Sequence, residues 1–196
     1  MLQLVRRGFD HVEFVVHELG PMESVFQRMG FEKIGSRHLK TQGTQSVVYA
    51  QGDVRVMLTQ PDPTAPRERS SSSEALKFLS QHAPGICVLA LEVQNAQQAY
   101  EDCLKRGARS ARAPQVFESA QGRVVRAEVW TPGDFRYAFI ERHSQHGSFD
   151  QPALFDEQLE VLRLRSPSPL GIECIDHLTN NVGIGDMKSC VQNYQE

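Results

Sequence analysis

The hydrophobic pattern of this chain changes period as it runs. Phe9 to Val16 is apolar and β-rich and predicts a strand. After Gly20-Pro21, Met22, Val25, Phe26 and Met29 recur at helical spacing, and Gly30 stands where a left-handed C-terminal cap belongs. Phe31 to Ser36 predicts a second strand. Thr44 to Ala50 and Val54 to Thr59 flank the turn Gln51-Gly52-Asp53, with period-two alternation at Val54, Val56 and Leu58. The predicted order is strand, helix, then three strands.

A polar, proline-rich connector runs from Pro61 to Arg69. Ser71 and Glu74 have the spacing of a capping box and predict a short helix through Ala75, Leu76, Phe78 and Leu79, ended by Pro84-Gly85. The earlier order then recurs. Ile86 to Val93 predicts a strand and Asn95 to Arg106 a helix, with Ala96, Ala99, Tyr100, Cys103 and Leu104 on its apolar side and Gly107 as its cap. Strands are predicted near Arg109–Ala111, Val116–Glu118 and Gly122–Trp130. Thr131-Pro132-Gly133-Asp134 makes a turn, and Phe135 to Glu141 is the last strand. Two copies of one βαβββ module account for residues 9–142.

Past a loop rich in His, Gly and Pro, a third copy begins. Phe9-Asp10-His11-Val12 resembles Ile175-Asp176-His177-Leu178, and Gly20, Met22, Ser24 and Gln27 recur as Gly185, Met187, Ser189 and Gln192. Ile175 to Val182 is therefore expected to open a new repeat as a strand, with His177 on its concave side. This copy stops inside its helix at Glu196, so the chain is expected to be a fragment. The division expected is a domain at 1–149, a linker at 150–171 and the start of another domain at 172–196. Residues 150–196 are expected to be poorly anchored, or to pack on a neighbouring copy, because a lone strand leaves its edges open.

Composition works mainly by exclusion. Hydrophobic residues make up 40% and charged residues 23%, enough for a packed core. A formal net charge of -3 argues against a nucleic-acid surface, and Arg67 and Arg69, split by Glu68, read as a solvated loop. Cys87, Cys103, Cys174 and Cys190 show no C-x-x-C spacing, which points to reduced thiols and a cytoplasmic protein. No apolar run reaches the length of about 18 residues needed for a membrane span, and no signal peptide is visible.

Paired βαβββ modules are the architecture of the vicinal oxygen chelate, or glyoxalase-like, superfamily: an α+β fold with an open half-barrel sheet flanked by helices. Within it the chain resembles the 4-hydroxyphenylpyruvate dioxygenase family. The resemblance is carried by Gly8-Phe9-Asp10-His11-Val12-Glu13-Phe14, Met29-Gly30-Phe31, Val93 to Ala108, and above all the stretch Gly171-Ile172-Glu173-Cys174-Ile175-Asp176-His177-Leu178-Thr179-Asn180-Asn181-Val182. It implies a non-catalytic first domain followed by the start of a catalytic one. His177 would be the first of three Fe(II) ligands in the complete enzyme, the other two lying beyond Glu196. The implied reaction takes an aromatic 2-oxo acid and O2 to homogentisate and CO2, in tyrosine and phenylalanine catabolism, by a homo-oligomer. This chain alone is expected to hold no catalytic residue, bind no cofactor and be inactive.

Laid on the first domain, the family's ligand positions fall at His11, Val88 and Ala138, and two of those side chains cannot donate to a metal. Glu141 is expected on the opposite face from Ala138. His143 and His146 are expected in a surface loop. Gly183-Ile184-Gly185 is too short for a dinucleotide fingerprint, and Trp130 is expected to fill space at a hairpin end. Two other readings stay open: a hydroxymandelate synthase-type dioxygenase, and a metal-free small-molecule-binding module.

Overall fold

The computed structural model describes residues 5–40, 42–65, 73–119, 122–144, 160–164 and 169–195. The first module is β1 (Val5–Val15), α1 (Leu19–Arg28), β2 (Glu32–Leu39), β3 (Thr44–Gln51) and β4 (Val54–Pro61). A short helix, α2 (Glu74–Gln81), leads to the second: β5 (Gly85–Val93), α3 (Ala96–Lys105), β6 (Arg109–Ser119), β7 (Gly122–Trp130) and β8 (Arg136–Ser144). β9 (Glu160–Leu164) and α4 (Met187–Gln195) follow. One sheet holds every strand of the described residues, in the order β6-β7-β8-β5-β1-β4-β3-β2-β9, and curls into an open half-barrel. In each module the first strand pairs parallel with the last, and the modules meet where β1 and β5 run antiparallel. The expected paired α+β architecture is the observed one.

Both large helices cover the convex face of the sheet. Phe26 of α1 meets Phe31 and Tyr49 at ring-centroid distances of 5.1 and 6.1 Å, among Leu19, Val47, Val56 and Leu58. Ala96, Ala99 and Tyr100 of α3 pack on Val125, Ala127, Val129 and Phe139. Each large apolar side chain so buried contributes roughly 1.5–3 kcal/mol. Local signals set the helix ends: Asn95 accepts from Gln98 N at 2.8 Å at the start of α3, while Gly30 and Gly107 close α1 and α3 with φ of +79° and +96°. α2 lies on the concave side, where Ala75, Phe78 and Leu79 pack against Val15, Cys87, Val88 and Ala138. Ser73 is its N-cap residue and makes no side-chain cap bond; Ser71, and the basic pair Arg67 and Arg69, lie outside the described residues.

Four expectations need correction. The two short strands around Pro114 are one strand, β6, whose register shifts between Ser110 and Arg112 and between Arg112 and Gln115. An edge strand tolerates proline because its outer N–H needs no partner. The last strand runs on past Glu141 to Ser144, so His143 lies in β8 rather than in a loop; His146 is outside the described residues. The linker contains β9, antiparallel to β2: an open edge far away in sequence recruited it.

The fourth concerns the tail. Residues 169–182 form no strand, because among the described residues no ladder pairs with them. The segment is nonetheless anchored. Asp53 N donates to Glu173 O at 2.7 Å, Leu170 N donates to Gln51 Oε1 at 2.8 Å, and Ile172 and Ile175 pack on the α1 core. The β3–β4 turn permits this approach only because Gly52 lacks a side chain: at its φ of +55°, a Cβ would lie 2.6 Å from the Ile172 carbonyl oxygen. Farther on, the Tyr194 ring of α4 meets Tyr137 edge-on at 6.2 Å.

Candidate functional site

The inward face of the half-barrel is charged where a core is usually apolar. β1 starts the arrangement. A register shift between Phe9 and His11 seats Asp10 and His11 side by side, and both are buried. His11 Nδ1 lies 2.5 Å from Asp10 Oδ1, and its Nε2 lies 3.0 Å from Glu13 Oε1. Arg142, from the end of β8, grips Asp10 in two-pronged fashion: its Nε donates to Oδ2 at 2.6 Å and its Nη2 to Oδ1 at 2.8 Å. Burial by itself would raise the Asp10 carboxyl, but Arg142 and His11 outweigh it and hold that carboxyl far below the usual range.

Arg126 of β7 joins the two modules at the centre. Its Nη2 donates to Glu13 Oε1 at 2.7 Å and its Nε to Glu128 Oε1 at 2.8 Å. Arg136 reaches the other Glu128 oxygen at 3.0 Å, and Arg112 lies 3.4 Å from the first. Burial opposes ionisation of Glu13 and Glu128 as well, yet the arginines keep both below their ordinary values. Cys87 takes the opposite sign: burial, helped by the Glu13 charge, pushes its thiol up to about 12. That excludes a reactive thiolate at this position.

His11, Val88 and Ala138, the positions on which the resemblance lays a ligand set, share this face. His11 is held between two carboxylates, while Val88 and Ala138 are fully buried in the apolar cluster beneath α2. Val88 and Ala138 offer no donor atom, so these three side chains do not make up a ligand set for a metal ion. Arg126 instead supplies the positive charge, its planar guanidinium bridging Glu13 and Glu128. Glu141 is turned to the helix side, where its Oε2 accepts from Ala96 N at 3.0 Å and its Oε1 lies 2.5 Å from His143 Nε2.

Next to this network lies a cavity of about 740 Å³. Among the described residues its basic side chains are Arg37, Lys77, Arg109, Arg112, Arg126 and Arg136, and its carboxylates are Glu13, Glu74 and Asp134. Trp130 lines the wall and does more than fill a hairpin end, for the Arg109 and Arg136 guanidinium carbons lie 5.9 and 5.6 Å from its ring centroid.

His177 stands apart from all of this. Its side chain is 76% exposed and its one close polar partner in view is Asp176, Oδ2 to Nδ1 at 2.7 Å. Among the described residues no group of three or more His, Cys, Asp or Glu side chains is arranged to hold a metal. Sequence reading missed Arg126, Glu128 and the cavity. Their one local signal was charge at period two, Arg126 and Glu128, inside the otherwise apolar Val124–Val129 run.

A family model described as hydroxyphenylpyruvate dioxygenase, HPPD, N-terminal, matches residues 3–156. The 4-hydroxyphenylpyruvate dioxygenase of Yarrowia lipolytica is 29% identical over 195 residues, covering 97% of this chain and 48% of that protein. The enzyme of the same name from Aspergillus fumigatus is 27% identical over 201 residues, covering 97% and 50%. The chain thus spans about half the length of the curated relatives it matches. A solved triple mutant of 4-hydroxymandelate synthase from Streptomyces coelicolor aligns with a TM-score of 0.72 at 19% identity, over 98% of this chain and 52% of that one, which speaks for the fold. The family match runs through both βαβββ repeats, and the chain therefore belongs to the hydroxyphenylpyruvate dioxygenase N-terminal family.

Proposed function

We propose that this chain is the N-terminal part of a cytoplasmic non-haem Fe(II) dioxygenase that converts 4-hydroxyphenylpyruvate and O2 to homogentisate and CO2, in tyrosine catabolism. The observation that carries this reading is the family match over residues 3–156, with similarity to named dioxygenases continuing across 97% of the chain and so past His177. In it, residues 1–149 are a scaffold in which two of the three ligand positions carry the apolar Val88 and Ala138, and Arg126 lies between Glu13 and Glu128. Residues 172–196 open the catalytic domain, and His177 is the first of three iron ligands there. Held by His177 and two further ligands, iron would supply open coordination positions for the 2-oxo acid and O2; a single exposed imidazole has too few donors to hold it. In support of the cytoplasmic reading, all four cysteines are free, and no described helix is long and apolar enough to cross a membrane.

The test is to express this chain together with the coding sequence that follows codon 196. Oxygen uptake and product are then measured with 4-hydroxyphenylpyruvate. Homogentisate formation that is lost in His177→Ala supports the reading, and activity surviving that change refutes the ligand assignment. Hydroxymandelate as product would select the second reading. The 196-residue chain alone is expected neither to retain iron after desalting nor to turn over substrate.

A further inference from the structure

We propose that the concave cavity of the first domain binds a small organic anion, a carboxylate carried on a flat apolar body. This site lies outside the catalytic reading above and does not depend on it.

Charge is the first ground. Among the described residues the cavity wall carries six basic side chains against three carboxylates, and that balance stays positive when Glu128, buried behind the wall, is counted as a fourth. The chain as a whole has a net charge of -3, so the cavity inverts the sign of the molecule. Basic groups lining a concave, low-dielectric wall focus positive potential into it and raise the local concentration of anions. Wall chemistry is the second ground. Val15, Phe78, Phe117 and Trp130 give apolar surface beside the arginines, and about 740 Å³ lies within the range of small-molecule sites. Rigidity is the third. Arg126 and Arg136 are fixed by Glu13, Glu74 and Glu128, so their charges are oriented before any ligand arrives. Arg37 also enters the cavity, steadied by donating to Ser46 Oγ at 3.3 Å and Met57 Sδ at 3.1 Å. An anion carboxylate would meet Arg37 and Arg112, with its apolar part along Phe78 and Trp130.

Trp130 is the only tryptophan of the chain, so its indole N–H gives one NMR cross-peak that reports from the cavity wall. The full 196-residue chain is titrated with phenylacetate, with benzylamine as a body of similar size and opposite charge, and with inorganic phosphate. A saturable shift of the indole peak with phenylacetate, and none with benzylamine, is expected. Phosphate should act at least about tenfold more weakly because it lacks the apolar part. Arg37→Gln should weaken phenylacetate about tenfold, as loss of one charge-assisted hydrogen bond does. The exposed rim variant Lys77→Gln, which leaves the buried network untouched, should weaken it by a smaller factor. Equal shifts with phenylacetate and benzylamine, phosphate binding as well as phenylacetate, or no saturation in wild type would each overturn the proposal. So would unchanged affinity in both variants. Homogentisate assays on the longer product report on the catalytic reading separately, since that chemistry needs His177 and not this cavity.

Discussion

Asp10-His11 and Asp176-His177 are the same dipeptide in two settings. Each histidine turns its Nδ1 to the preceding aspartate, at 2.5 Å in one case and 2.7 Å in the other. The first pair is 0% and 1% exposed and is clamped by Arg142 and Glu13; the second is 90% and 76% exposed and touches little else. The difference teaches that the local sequence sets the His–Asp contact while burial decides its consequence. In water such a contact contributes little; inside the sheet it is bound into a charge network whose members depend on one another.

The comparison breaks most visibly in acid. Asp10, Glu13 and Glu128 have ordinary values of 3.8, 4.5 and 4.5, and all three are held lower in the folded chain. The folded state therefore binds fewer protons than the unfolded one. The stability these groups bring is complete above the ordinary carboxylate range and drains away as pH falls below it. Thermal melting followed from neutral pH downward should show a steep loss there, and a flat profile would mean the network is not ionised as described.

A smaller but sharper effect is expected from Arg126→Met. Removing the guanidinium leaves Glu13 and Glu128 buried without their main counter-charge, at a cost of about 3–5 kcal/mol. Denaturant midpoints should show that cost at neutral pH and a narrowing gap to wild type in acid, where the carboxylates can take up protons. A gap that stays constant with pH would assign the loss to packing.

Asp10→Asn and Asp176→Asn test the paired dipeptides directly. The first takes the charge from under Arg142 and should cost about 3 kcal/mol. The second should lie within about 0.5 kcal/mol of wild type, as exposed changes do. Equal effects would erase the distinction between the two settings. Gly52→Ala, which forces a side chain at positive φ into the Ile172 carbonyl, should cost about 1–3 kcal/mol. Its signature is local: the Asp53 amide, which donates to Glu173 O, should exchange with solvent faster while the sheet centre keeps its protection.

Much of the fold was legible because its signals are short-range. Period and capping located α1 and α3, and Gly30 and Gly107 marked their ends at positive φ. Repetition of that order announced two modules, and the paired half-barrel followed. The elements missed were those whose existence depends on a distant partner. β9 forms because β2 offers an edge, and the Ile175 segment is no strand because it pairs with no ladder among the described residues. The candidate site was half legible in the same way. His11 and the empty positions at Val88 and Ala138 could be read off the chain, whereas Arg126 could not be seen as the bridge between β1 and β7, since Glu13 lies 113 residues away.

The order of residues alone determined the two modules, the apolar stripes of the helices, and the lack of donor atoms in the Val88 and Ala138 side chains. These rest on the period of the backbone and on side-chain chemistry, which need no neighbour to be true. Tertiary structure decided the rest. It buried one His–Asp pair and left the other in water, set a guanidinium between two carboxylates from different strands, and gathered basic side chains around one cavity. Each of those outcomes depends on desolvation and on distances across the sheet, and neither quantity exists until the chain has folded.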